Sequence, residues 1–251
     1  MYKRCPKCGY QRQPSDTGSS DICPGCGLIF SKWMQRRFKS KTRVPATDHS
    51  KPDTPPLWGR ITPLLFHIEE RVDPLHFWSR LAAFALFFLW GWSFIWMEIE
   101  SNAIGASFMH NINLVFHEAG HMIFIPLGEF MTILGGSLFQ VMMPLIVMGT
   151  FLWQQRNPFG ASIGLWWTGQ SMMDVAPYIN DARDRQLMLL GGGTGEGRPW
   201  MHDWYNLLGQ LRVLEQDHRI ASLVDVCGEL IMILAMCWGA YLLLLQYRQI
   251  K

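Results

Sequence analysis

Apolar and polar positions divide the chain at about residue 80. Beyond it, five apolar runs follow at 81–99, 106–128, 131–153, 158–180 and 221–246. Each is close to the roughly 20 residues that cross a hydrocarbon layer as a helix. The first is uncharged until Glu98, and the third carries no charge at all. The fourth holds only Asp174, and the fifth has Asp225 and Glu229 near its start. A polar loop, 181–220, separates the last two runs and contains GGGTGEG and HDW. Residues 61–80 mix apolar and charged positions and predict an amphipathic approach to the membrane surface. Residues 34–60 are basic and then Pro/Ser/Thr-rich, a composition that cannot bury a core and predicts a linker. The expected fold is therefore an all-α polytopic membrane bundle of about five transmembrane helices (81–251), joined through 34–80 to a small N-terminal unit (1–33).

Composition supports the membrane reading. Charged residues are 17% of the chain, against roughly 25% in soluble domains. The net charge of +2 says little, because residues 1–80 hold 14 of the 22 Lys and Arg. Lys and Arg collect on the cytosolic side of a membrane, so the N-terminus is expected in the cytosol. With five spans, Arg183, Arg185, Arg198, Arg212 and Arg219 of the long loop share that side. The first 30 residues lack an apolar stretch, so no cleavable signal peptide is expected. A multi-pass protein of a bacterial cytoplasmic membrane fits these features. The basic run KWMQRRFKSKTR suits anionic lipid beside a membrane better than nucleic acid.

Residues 1–33 carry two knuckles, CPKCG and CPGCG, which place Cys5, Cys8, Cys23 and Cys26 in CxxC pairs. Two such pairs close a four-thiolate shell with no open position, which makes the metal structural. Paired thiols of this kind also fit a reducing compartment. The knuckles resemble those of zinc ribbons and of rubredoxins, which hold iron. Ligand softness, closed geometry and few aromatics (Tyr2, Tyr10, Phe30, Trp33) favour zinc. Such a unit also offers a surface for a protein partner.

The second apolar run contains FHEAGH, placing His117 and His121 one turn apart with Glu118 between them. Two imidazoles at that spacing reach one metal, and the glutamate is placed to take a proton from water. Ionisable groups inside a span are costly and seldom kept without a role. A catalytic zinc needs a third protein ligand. Counting depth along runs two and four as inward-running spans sets Asp174 level with both histidines, so Asp174 is the expected third ligand. Glu229 and the His202–Asp203 pair remain open as rivals, whereas Glu129, beyond Pro126 and Gly128, is poorly placed. Gln140, Gln170 and Ser171 are read mainly as hydrogen bonds between helices, and His110 as an interfacial polar residue. GGGTGEG lacks the Lys-Ser/Thr of a phosphate loop.

A membrane-embedded HExxH, His117-Glu118-Ala119-Gly120-His121, followed two runs later by a lone aspartate resembles the site-2 protease family of intramembrane metalloproteases. The likeness covers about residues 106–180. It departs in reading GQSMMDVAPYIN where that family ends its segment in Leu-Asp-Gly, and no PDZ-like domain interrupts the spans. The resemblance implies a catalytic zinc on His117, His121 and Asp174, with Glu118 as base. It also implies a three-helix core, zinc below the cytosolic surface, and membrane proteins or peptides as substrates. The expected activity is zinc-dependent peptide hydrolysis. The alternative is a non-catalytic metal-binding scaffold recruiting a partner through its ribbon.

Overall fold

The computed structural model describes residues 4–16, 18–39, 57–69, 71–190 and 192–250. The chain forms two compact units, residues 1–55 and 56–251. Most of the expected linker lies outside the described residues.

In the first unit each CPxCG knuckle closes on itself. Gly9 N–H donates to the Cys5 carbonyl at 2.9 Å, and Gly27 N–H to that of Cys23 at 2.9 Å. Both glycines take left-handed backbone, φ 76° and 70°, which only glycine adopts without strain. Antiparallel bridges Arg4–Gln11 and Ile22–Ile29 flank the knuckles. Helix α1, Phe30–Lys39, follows.

The second unit is helical, and its described residues contain no strand, only isolated bridges. Its helices are α2 (Leu57–Leu65), α3 (Pro74–Ile95), α4 (Phe108–Phe124), α5 (Glu129–Trp153), α6 (Pro158–Asn180), α7 (Asp203–Gln210) and α8 (Asp217–Tyr247). Local chemistry sets several ends. Asp73 caps α3 by accepting from Leu75 N–H at 2.7 Å, Ser107 caps α4, and Asn157 caps α6. Pro126 falls in a short 3₁₀ turn after α4, and Gly128 follows it at φ 92°. Three stretches, Pro74–Ile95, Glu129–Trp153 and Leu214–Tyr247, are long and apolar enough to cross a membrane. The first begins earlier than the expected residue 81, because Asp73-Pro74 is a strong helix start.

Helix directions differ from the five-span expectation. Gly91 meets Met232 and Gly239 meets Phe84, so α3 and α8 run antiparallel. Gly169 faces Gly228 and Ser162 faces Gly239, so α6 also opposes α8. The ladder Phe116–Phe139, Gly120–Gly135 and His121–Thr132 sets α4 against α5. Gln140–Ser171 and Met148–Gly164 set α5 against α6. Consequently α3, α4 and α6 all point the same way. The C-terminal part of α3 packs on Trp166, while the start of α4 packs on Asp174, farther along α6. The chain does not reverse between α3 and α4. They succeed one another along one traverse of the bundle, broken by two 3₁₀ turns, Ile99–Ser101 and Ala103–Ala106.

The bundle therefore has four traverses: α3 with α4, α5, α6 and α8. Its two ends confirm the count. Val72 N–H donates to the Gln249 carbonyl at 3.4 Å and Val72 bridges Ile250, so the start of α3 and the end of α8 meet. The segment 181–220, expected as a loop beside the N-terminal end, lies at the opposite end, because it joins the C-terminus of α6 to the N-terminus of α8.

The crossings are close. A Cβ on Gly169 would meet the Gly228 carbonyl oxygen at 2.6 Å, and one on Gly228 would meet that of Gly169 at 2.7 Å. One on Gly120 would collide with the Gly135 carbonyl. Small residues at such points let helix backbones approach where apolar burial alone gives no drive to associate.

Candidate metal centre

His117 and His121 share one face of α4, and the α4–α5 hairpin fixes both rings. His121 Nδ1 lies 2.8 Å from the Thr132 carbonyl oxygen. That oxygen only accepts, so His121 carries its proton on Nδ1. His117 Nδ1 lies 3.1 Å from Gln140 Oε1. Gln140 cannot turn its amide round, because its Nε2 donates to Asp174 Oδ2 at 3.0 Å and a carboxylate only accepts. His117 is thereby also an Nδ1–H tautomer. Both Nε2 atoms present lone pairs, which is the form that binds a metal.

The third donor comes from Asp203. Its Oδ2 lies 3.0 Å from His117 Nε2 and 3.2 Å from His121 Nε2. Two lone pairs facing a carboxylate oxygen repel unless a proton or a metal cation lies between them. Donors bound at the usual zinc–nitrogen and zinc–oxygen lengths at tetrahedral angles stand about 3.3 Å apart, close to the spacing seen. The donor set therefore fits a divalent metal.

The HDW triplet divides three tasks. His202, fully buried, accepts from Tyr205 N–H on Nδ1 at 3.2 Å and so caps α7. Its Nε2 then donates to Asp181 Oδ2 at 3.3 Å, tying α7 to the end of α6. Trp204 Nε1 donates to Ser137 Oγ of α5 at 3.1 Å. Between these anchors Asp203 has little freedom, and its own N–H donates to Tyr178 Oη at 3.0 Å. Asp181 also accepts from Gln186 and Leu187 N–H, and Asp217 grips Arg183 at 2.8 Å.

Asp174, the expected ligand, does not touch the HExxH imidazoles. Its carboxylate takes His110 Nδ1 at 2.9 Å, Asn113 Nδ2 at 3.0 Å and Gln140 Nε2 at 3.0 Å. It lies one turn short of the site, and Tyr178, one turn farther along α6, occupies the level of His117. Asp174 thus orients His117 through Gln140. His110 is not a free interfacial residue but a partner of that carboxylate. Gln170 joins the network through Asn113, and Trp167 Nε1 donates to Asn113 Oδ1. Neither Glu229 nor Glu129 lines the site.

A cavity of about 530 Å³ opens beside the centre. Glu118, His110, Asn111 and Tyr178 supply polar walls, and Leu114, Leu187 and Met188 are among the apolar ones. The half-buried Glu118 carboxylate makes no hydrogen bond among the described residues and faces this space. Gly136 closes the floor: a Cβ there would stand 2.6 Å from both Nε2 atoms.

In the N-terminal unit the four cysteines form the second donor cluster. The Cys5–Cys26 and Cys8–Cys23 sulfurs are 3.7 Å apart, close to the roughly 3.8 Å edge of a tetrahedron with 2.3 Å metal–sulfur bonds. Burial would raise the Cys5 thiol, but N–H groups of Cys8 and Lys7 and nearby thiols bring it down to about 6. Tyr10 N–H favours the Cys8 thiolate, yet Cys26, burial and the other sulfurs together drive that thiol up to about 12. Four sulfurs this close cannot all ionise without a cation between them.

No protein-family model, curated protein or solved structure matches the chain. The functional reading therefore stands on the site.

Proposed function

We propose that the chain is a membrane-embedded zinc peptidase of four crossings, with His117, His121 and Asp203 as ligands and Glu118 as general base. A second, structural zinc is assigned to Cys5, Cys8, Cys23 and Cys26. The observation that carries the reading is the convergence of two Nδ1-protonated imidazoles and a carboxylate beside a cavity that also holds an unpaired glutamate. Bound zinc would supply Lewis acidity toward a scissile carbonyl and lower the pKa of a water. Glu118 accepts the proton of the attacking water and returns it to the leaving amine. Tyr178 Oη already accepts from Asp203 N–H, so its own proton is free to donate toward the developing oxyanion. Leu114, Leu187 and Met188 favour apolar residues beside the cleaved bond. The substrate enters locally unwound, because a helical backbone keeps its carbonyls in hydrogen bonds.

Metal content and turnover test this together. Purified wild-type chain is expected to hold two zincs. Glu118→Gln should keep both and lose cleavage of an apolar reporter peptide by about 10²–10⁴-fold. Tyr178→Phe should also keep both and lower kcat by about 10²-fold. One zinc in the wild type, or full activity in Glu118→Gln, overturns the proposal.

A further inference from the structure

We infer that the candidate site opens on the extracytoplasmic face of the membrane, so that it receives apolar polypeptide from that side. The inference rests on the peptidase reading for its substrate, but its geometry is independent of catalysis.

The argument starts from which parts of the bundle share an end. Val72, Phe77, Phe159, Leu242 and Ile250 form one cluster. That places the start of α3, the α5–α6 turn with Arg156, and the end of α8 together. Asp203, the Ile125–Leu127 turn and the segment 181–216 belong to the other end, past the point where α3 stops. The metal centre is therefore at the end away from the start of α3. Residues 57–73 offer no helix long enough to cross a membrane; α2 has 9 residues. The sequence from 34 to 56 has no apolar run, so residues before α3 stay on the side where α3 begins.

Charge then decides which end faces the cytosol. Arg156 and Arg248 lie at the end where α3 begins, and the sequence that leads into α3, 1–80, holds 14 of the 22 Lys and Arg. The site end has five: Arg183, Arg185, Arg198, Arg212 and Arg219. Positive residues near spans are retained in the cytosol, which puts the start of α3 inside and the metal centre outside. The four clustered thiols of the N-terminal unit call for the same reducing side. Counted with five alternating runs, the loop arginines fall on the cytosolic side; the shared direction of α3 and α4 moves them across.

The rim of the cavity suits polypeptide arriving from that side. Met188 is 76% exposed, Leu190 59% and Met201 40%, and all three line the opening. Leu189 N–H bonds back to the Gly193 carbonyl at 2.9 Å, which holds this rim as a short hairpin. A segment of apolar side chains leaving the membrane, or one exported across it, is the substrate class that such a rim accepts.

Cysteine labelling in cells that express the full chain tests the facing. Met188→Cys and Met201→Cys report the rim, while Leu75→Cys and Gln249→Cys report the opposite end. A membrane-impermeant maleimide is applied before and after lysis, and modification is read at each introduced position by peptide mass. The rim cysteines are expected to react in intact cells, and positions 75 and 249 only after lysis. The reverse pattern, or all four positions reacting from one side, overturns the inference. Labelling does not require activity, so a reversed pattern with Glu118→Gln inactive rejects the facing alone. The expected pattern with Glu118→Gln fully active rejects the peptidase reading and leaves the facing intact.

Discussion

Two aspartates stand near the HExxH motif, and they differ by a single intervening amide. Asp203 offers an oxygen to both imidazoles; Asp174 reaches His117 only through Gln140. Their substitutions should separate accordingly. Asp203→Ala removes a donor, and zinc content is expected to fall from two to one per chain. Asp174→Asn leaves three donors but no longer forces Gln140 to turn Oε1 toward His117, so affinity should drop by about 10–100-fold. Metal titration against a chromophoric chelator measures both, and equal loss in the two variants would reject the division of roles. At this scale the sequence was partly legible. His117, Glu118, His121 and the four cysteines sit in short local patterns that fix their mutual geometry. Asp203 lies 86 residues from His117 and arrives through a fold-back that no local pattern encodes. The signal available was HDW itself, three chemically rich residues in a polar loop. Asn113, Tyr178 and Thr132 carried no signal, since each is defined by a neighbour on another helix.

Among elements, the α4–α5 hairpin and the α6–α8 crossing use glycine for different ends. Gly136 lies against the imidazoles, whereas Gly169 and Gly228 lie against each other's backbone. Gly136→Ala should push His117 and His121 apart and abolish zinc binding at the histidine centre, with the melting of the bundle little changed. Gly169→Ala should leave the site chemistry alone and destabilise the bundle by about 1–3 kcal/mol through overpacking. Thermal unfolding in detergent beside metal analysis distinguishes the two, and a Gly136→Ala protein with normal zinc would show that the floor of the site has room. Element boundaries were marked unevenly in the sequence: run four coincides with α6 at 158–180, whereas α3 starts seven residues before its run and α4 stops at Phe124. Direction was not marked. Residues 96–107 have the length of a reversing loop, but here they are spent on two 3₁₀ turns that offset α4 from α3 without turning it back. The depth count began α4 at the surface, whereas it begins partway along α6. The difference puts Asp174 beside His110, one turn of α6 short of Tyr178 and the imidazoles.

Over the whole molecule the two donor clusters belong to separate compact units, each closed by its own chemistry. The cysteine cluster is completed within residues 5–26, and its unit has a core of few side chains, among them Tyr10, Leu28 and Phe30. A metal on the four cysteines would therefore supply much of its folding free energy. The histidine centre draws on α4, α5, α6 and α7 and owes nothing to the ribbon: every residue that orients it, from His110 to Asp203, lies in the second unit. Removing residues 1–55 should accordingly lower zinc from two to one per chain while leaving the bundle's melting temperature and its peptide hydrolysis in detergent unchanged. Chelation of the full-length protein should first expose ribbon amides to hydrogen exchange, with those of α6 and α8 still protected. Loss of the remaining zinc in the truncated chain would mean that the ribbon helps to build the centre, contrary to the self-contained ligand network. Loss of activity in cells alone, with the purified bundle fully active, would instead assign the ribbon to a task apart from the chemistry, such as holding a partner.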